Sequence, residues 1–373
     1  MNKKEIAEIK KLYTMNRCCA QRFAGCYVDG NKNRVMNFKE AFLSQPEEEI
    51  FKYLTIFRGS LGGTLGKNLL NMDFPLDTEL QGGSQELLLK LRDSHLQDDE
   101  LLDLFYQKVI DNYVYGENYL ILLIDSVYDI PKRGSDGLDQ EDASEDVYEH
   151  ILCSICPVNL SKEGLSYNAS TQKIENRIRD WVVEPAQHAF LFPAFEDRNT
   201  DIHKLLYFTH KAEEIQADFI GGMLGCVAPM TSKNQAETFA EVITETLGSD
   251  CNFAVVKSIH ENMKSVVEEH KEDPEPVTFD KNVVRRVLET SGVADERIEL
   301  FEENFDEVVG TKNDLMAANI VNTRSFNVAT PEVSIKVAAD RTDLIETREI
   351  DGKKYLLIEV TDAVEVNGIK VQA

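Results

Sequence analysis

The sequence predicts an α+β fold, on three observations. Segments with apolar residues at every third or fourth position alternate with short runs patterned at every second position. The runs between residues 150 and 209 follow one another too closely for crossover helices, which points to a mostly antiparallel sheet. The tail carries two hairpin signals, Asp351-Gly352 and Asn367-Gly368. The implied order is an N-terminal α/β unit (1–115), a central β-rich unit (116–210), a helical region (211–330) with a linker near Asp273-Pro-Glu-Pro276, and a C-terminal β-meander (331–373). At 373 residues, 42% hydrophobic and 28% charged, the chain has globular composition and can bury real cores.

Each element has a local reason. Ile6, Ile9, Leu12 and Tyr13 make one face of a helix over 3–13. A strand over 17–28 ends at Asp29-Gly30 and returns through Arg34–Phe38. Ser44 is expected to cap the next helix, with Pro46 in its first turn and Glu47 closing a capping box. Gly82-Gly83-Ser84 leads into a helix to Arg92, with Ser84 as cap, and Asp98 caps another with Leu101, Leu104/Phe105 and Lys108/Val109 in register. Tyr119–Ile124 is a continuous apolar run, hence a buried strand. Residues 131–146, with Pro131, Gly134, Gly137 and many acids, read as a loop. Helices are expected at 211–224, 234–248 and 252–270. A helical hairpin follows, its first helix capped by Asp280 and its second running from Asp295 to Val309, where Gly310 stops it.

The formal net charge is −26, which excludes a protein that coats nucleic acid. The charge is unevenly spread. Residues 1–70 hold twelve Lys/Arg against seven Asp/Glu, whereas residues 136–149 hold seven acids and no base. A basic N-terminal surface could therefore meet an anionic partner or the protein's own acidic part. Neither a signal-peptide core nor a membrane-length apolar run is visible, and seven cysteines form no disulfide framework. A reduced, cytoplasmic protein is expected.

No catalytic motif is intact. Gly62-Gly-Thr-Leu-Gly66-Lys67-Asn68 has three residues between its glycines and Asn where a phosphate-binding loop needs Ser or Thr. Arg58-Gly-Ser60-Leu-Gly62 lacks the first glycine of a nucleophile elbow. Cys153-Ser-Ile-Cys156 falls in a strand, where positions three apart point to opposite faces, so the two thiols should diverge. Asp197, Asp201 and His203 form the most concentrated acid/base cluster and are the candidate catalytic or metal-binding residues of a hydrolase. Gly82, Gly83 and Gln85 resemble the Gly-Gly-Gln loop of peptide release factors with Ser84 inserted. That resemblance implies a ribosome or tRNA contact through residues 1–92, with the insertion moving Gln85 out of register. Trp181, the only tryptophan, reads as a core or edge anchor.

Longer blocks carry a broader resemblance. They are Gly25-Cys-Tyr-Val-Asp-Gly30, Gly63–Pro75, Tyr115-Gly-Glu-Asn-Tyr-Leu-Ile-Leu-Leu-Ile124, Glu149-His-Ile-Leu-Cys-Ser-Ile-Cys-Pro157 and Phe192–His203. Together they resemble an uncharacterised domain-of-unknown-function family of anaerobic Gram-positive bacteria, across nearly the whole chain. The resemblance implies a bacterial cytoplasmic protein and assigns no activity. The expectation is a non-catalytic binding or regulatory protein with an unknown protein partner, no cofactor and no membrane contact; the ribosomal factor and the metal-dependent hydrolase are the alternatives.

Overall fold

A computed structural model describes residues 1–133, 139–309, 314–360 and 364–371. The fold is α+β, as the sequence predicts. The chain divides into two compact units, Met1–Thr231 and Ser232–Ala373.

The first unit is built on one antiparallel sheet. Its strands are β1 (Ala20–Val28), β2 (Arg34–Ala41), β3 (Leu69–Asp73), β4 (Tyr119–Arg133), β5 (Asp139–Leu160), β9 (His188–Phe192) and β12 (Lys204–Thr209). Their spatial order is β2-β1-β4-β5-β9-β12-β3. Two hairpins leave it: β6 (Leu165–Asn168) with β7 (Lys173–Asn176), and β10 (Ala194–Glu196) with β11 (Asn199–Asp201). Strand β8 (Trp181–Val183) pairs with the end of β5.

Helices cover both faces of this sheet. Strand side chains alternate between faces, so parity decides which layer each residue joins. On β4, Tyr119, Ile121 and Leu123 pack with α3 (Ser84–Asp93) and α4 (Asp99–Asn112). Leu120, Leu122 and Ile124 pack on the other side with α1 (Lys3–Leu12) and α2 (Glu47–Gly59). Two buried faces explain why this strand reads as an unbroken apolar run.

Several local expectations hold. Asp98 accepts the Glu100 and Leu101 amides, and the thiols of Cys153 and Cys156 enter opposite cores. Asn2, which the sequence reading did not single out, caps α1. Others are corrected. Ser44 does not cap α2; its hydroxyl donates to the Ala41 carbonyl, and Pro46 stands at the cap position. On α4 the buried face is Leu102, Phe105, Tyr106, Val109 and Ile110, one position off the expected register, and Leu104 is exposed. The acidic segment 131–146 is strand through Arg133 and again from Asp139; Gly134 and Gly137 lie outside the described residues. Within 211–224 winding starts only at Ala217, and Phe219–Leu224 is a wide π turn closed by Gly225 at φ +74°. A Cβ on Gly222 would stand 1.8 Å from Asn112 Oδ1, so glycine sets that approach to α4. Part of the N-terminal basic surplus turns inward: Arg34 bonds Asp103 and Lys39 bonds Asp99, both on α4.

The second unit begins with α5 (Ser232–Leu247) and α6 (Phe253–Glu269), the latter capped by Asn252. The expected hairpin is α7 (Lys281–Thr290), capped by Asp280, and α8 (Asp295–Val308); Lys281–Asp306 and Arg285–Glu302 contacts of 2.6 Å tie them together. Gly310, the expected stop, lies outside the described residues. Strands β13 (Thr278–Phe279) and β14 (Leu315–Met316) pair, and the short α9 (Ala317–Ile320) follows. The tail is a series of hairpins rather than one meander. β15 (Ser325–Ala329) pairs with β16 (Ser334–Ala338), β17 (Ile345–Ile350) with β18 (Lys353–Ile358), and β19 (Val364–Val366) with β20 (Ile369–Val371). Both Asx-Gly turns have positive φ at both residues, as their type demands.

Two histidines are buried in the first unit's sheet. Tyr13 Oη lies 3.0 Å from His150 Nε2, and Tyr113 Oη lies 2.8 Å from His188 Nδ1. Burial pushes His150 down to about 3 and His188 down to about 4. The unfolded chain binds these protons near pH 6.5 and the folded chain does not, so their stabilisation is complete above that pH and falls below it. Denaturant midpoints should therefore drop as the pH falls from neutrality towards 4. His150→Gln should flatten the dependence by about one proton; an unchanged slope would show that His150 takes up its proton in the folded state.

Candidate functional site

The site is set by the connection between α3 and α4. His95 and Leu96 both have positive φ, +47° and +54°. That conformation costs roughly 1 kcal/mol or more per non-glycine residue. Three contacts hold it: Leu96 is fully buried in the core, Asp98 caps α4, and Lys39 Nζ donates to the Gln97 carbonyl at 2.8 Å. The consequence is a histidine aimed at the sheet.

Beneath it lies Asp125. The parity that turns Tyr119, Ile121 and Leu123 towards α3 and α4 turns Asp125 the same way. Its neighbour across to β1 is Arg22, and Glu149 stands on β5 opposite Val127. Asp125 Oδ2 lies 3.2 Å from His95 Nδ1. The Asp125 side chain is fully buried, while that of His95 is 38% exposed. Among the described residues Asp125 Oδ1 has no hydrogen-bond partner. Burial raises the carboxyl's proton affinity to about 6, against the pull of His95; Glu149 adds to the rise and Arg22 opposes it.

A hollow of about 410 Å³ opens beside this pair, lined by Gln21, Arg22, His95, Gln97, Val127 and Glu149. It offers one cation, one anion, two amides and an imidazole. Such a set can hold a small polar molecule by both its donors and its acceptors, and the Asp125–His95 pair can hold or pass a proton.

The sequence candidates are placed elsewhere. Asp197 sits in the β10–β11 turn, where its amide donates to Glu5 Oε1 and the adjacent Arg198 holds Glu8 at 2.9 Å. Asp201 accepts the His203 amide and faces Lys204 at 3.6 Å. The His203 ring turns to Glu79 at 2.7 Å. Asp201 and His203 thus meet only through the His203 amide, the His203 ring is held by Glu79, and Asp197 is placed by its own amide in another contact. Among the described residues no group of three or more His, Cys, Asp or Glu could hold a metal ion.

The Gly82-Gly83-Ser84-Gln85 turn is a packing device. Ser84 does not cap α3; Gly83 occupies the cap, and the Glu86 carboxylate takes the Gly82 amide at 2.5 Å. Gln85 is buried and its Nε2 donates to the Ile202 carbonyl at 2.9 Å, which ties α3 to the loop before β12. The residue on which a release-factor-like activity would depend is thus held inside the unit. Cys153 and Cys156 are fully buried, and burial raises both thiols.

A family model matches residues 1–369, nearly the entire chain. The chain belongs to the DUF4317 family, a domain of unknown function. No curated protein matches it. The DUF4317 description names no activity. Among the described residues no helix is long and apolar enough to cross a membrane.

Sequence reasoning missed the Asp125–His95 pair. One signal was present: Asp125 directly follows the apolar run, at the parity of its inward positions. His95 carried none, because its role depends on a loop closing over a distant strand.

Two expectations follow. Above pH 6 the folded protein carries the cost of ionising a buried Asp125, and below about pH 4 it does not. Asp125→Asn should therefore stabilise the protein at pH 8, by up to about 2 kcal/mol, with the gain vanishing by pH 4; denaturant titrations at the two pH values check this. At the glycine turn, a Cβ on Gly83 would stand 2.1 Å from the Thr78 carbonyl oxygen, whereas one on Gly82 meets nothing within 4 Å. Gly83→Ala should cost about 2 kcal/mol or more, and Gly82→Ala, at φ +84°, about 1 kcal/mol.

Proposed function

We propose that this is a binding protein whose first unit takes a small polar ligand, bearing both anionic and cationic or donor groups, in the hollow over Asp125 and His95. The single observation that carries the reading is the buried Asp125 beneath a strained histidine loop, with Arg22 and Glu149 flanking it. Strained backbone and a buried carboxylate with one oxygen unbonded cost stability, and such costs concentrate where a protein meets a ligand. Arg22 would hold an anionic group, Glu149 and the Gln21 and Gln97 amides the polar remainder, and His95 the proton-sharing end. A reduced, cytoplasmic setting suits seven free cysteines.

The test is a thermal-shift screen of zwitterionic and carboxylate-bearing metabolites at neutral pH. Binders should raise the midpoint, by about 2.7 kcal/mol of stabilisation at a hundredfold excess over Kd. Arg22→Ala and Glu149→Gln should each abolish the shift while leaving the unliganded midpoint within about 0.5 kcal/mol. Binders that stabilise both variants as well as the parent would remove the hollow from the proposal.

A further inference from the structure

Three adjacent strands lay the floor of the hollow over Asp125 and His95. Arg22 stands on β1 opposite Asp125 on β4, and Glu149 stands on β5 opposite Val127 on β4. Arg22 shares a face with Ala24 and Cys26, and Glu149 with Ile151 and Cys153, so both side chains rise on the side of α3 and α4. They are two strands apart sideways and two residues apart along β4. With strands about 4.8 Å apart and a rise of about 3.4 Å per residue, their backbones are separated by about 12 Å. Among the described residues neither the Arg22 guanidinium nor the Glu149 carboxylate makes a hydrogen bond or an ion pair. Arg22 does not close on Asp125, although directly opposed residues lie only about 5 Å apart at Cβ; its side chain lines the hollow instead.

A bulge adds an amide on the Arg22 side. The β1–β4 register slips between Ala20 and Arg22, and Gln21 falls in the slip. In a regular strand Gln21 and Arg22 would face opposite ways; at the bulge both line the hollow. Gln97 reaches the hollow from the connection between α3 and α4. Each primary amide offers a carbonyl acceptor and N–H donors, the complement of a peptide group's own N–H and carbonyl.

The spacing of the two charges selects the ligand. A single α-amino acid carries both charges on one carbon and would leave Arg22 or Glu149 unmet. A dicarboxylate brings a like charge to Glu149, and a diamine brings one to Arg22. An extended dipeptide spans about 7 Å, and the reach of the two side chains covers the rest of the roughly 12 Å between their backbones. The volume of about 410 Å³ falls within the usual range for small-molecule sites.

Resting on the binding function proposed above, we propose that the ligand is a dipeptide with free ends, its carboxylate on Arg22, its ammonium on Glu149 and its peptide group at the Gln21 and Gln97 amides.

These contacts are all to backbone groups, so dialanine is a sufficient probe. The full chain is titrated calorimetrically at pH 7 with dialanine, alanine, N-acetyl-dialanine, dialanine amide and succinate. Dialanine should bind about tenfold or more tighter than each of the others, because each of them lacks or misplaces a charge-assisted contact. In Arg22→Gln the dipeptide amide should bind as well as the free dipeptide. In Glu149→Gln the acetylated dipeptide should bind as well as the free one. Both ratios are taken within one variant, so a change in its stability does not move them. Dialanine that keeps the parent's end-group ratios in both variants overturns the proposal. Alanine or succinate binding as tightly as dialanine, and weakened in both variants, overturns the dipeptide and leaves the binding function standing. So does an absence of dialanine binding where another zwitterion binds through Arg22 and Glu149. If no ligand depends on Arg22 and Glu149, the binding function falls and the dipeptide with it.

Discussion

The constraint on which the first unit depends is that its sheet is buried on both faces. A polar group in the buried stretches of β4, β5 and β9 then depends on the covering layers for its partner, because water is largely excluded there. The helices meet this demand at their ends. Tyr13, just past α1, bonds His150; Ser60, just past α2, bonds Ser154 at 2.8 Å; Tyr113, just past α4, bonds His188. His95, just past α3, reaches Asp125. Each covering helix thus ends on a residue that meets a buried polar group of the sheet. These four contacts fix where each helix stops and which strand it stops over.

Three of the four pairs are neutral and closed. Their histidines and hydroxyls are held without charge, and burial keeps the histidines that way at neutral pH. The fourth differs in each respect. It contains an ionisable carboxylate, one of its oxygens has no hydrogen-bond partner among the described residues, its histidine is partly exposed, and its loop has two consecutive non-glycine residues at positive φ. Packing alone would be served better by an apolar residue at 125, since an ionised buried group costs several kcal/mol unless it is well paired. The contrast between one costly pair and three quiet ones, in equivalent positions of the same architecture, singles out Asp125 and His95.

Much of the fold was legible because its signals are local. Asp98 and Asp280 sit where a carboxylate can reach the free amides of a first turn, and Asp351-Gly352 and Asn367-Gly368 have the residues that positive φ requires. The failures lie where tertiary contacts decide. Ser44 has the chemistry of a cap, but it falls in a short 3-10 turn and bonds backward to Ala41. Residues 211–224 show helical spacing, but the chain winds only from Ala217, as a π turn over Phe219–Leu224 packed against α4. Gln85 lies in a glycine-rich turn of the kind that presents a side chain, and it is the contact with Ile202 that turns it inward. The candidate site follows the same division: the inward parity of Asp125 was in the sequence, and the partner that gives it meaning was brought by a loop thirty residues earlier in the chain.

The net charge of −26 acquires a finer meaning from the same geometry. Arg34 and Lys39, part of the N-terminal basic surplus, are committed to Asp103 and Asp99 on α4 and are less available to an outside polyanion. Arg22 is different: it lies on the same sheet beside Asp125 and opens into the hollow rather than onto an acidic helix. A cation beside a buried carboxylate lowers the local repulsion that the rest of the chain would impose on an anionic group. Coulomb repulsion acts over about a Debye length, roughly 8 Å at physiological ionic strength, so the Arg22 side of the hollow differs from its surroundings on the scale of one or two side chains, which is the scale at which a small ligand makes contact.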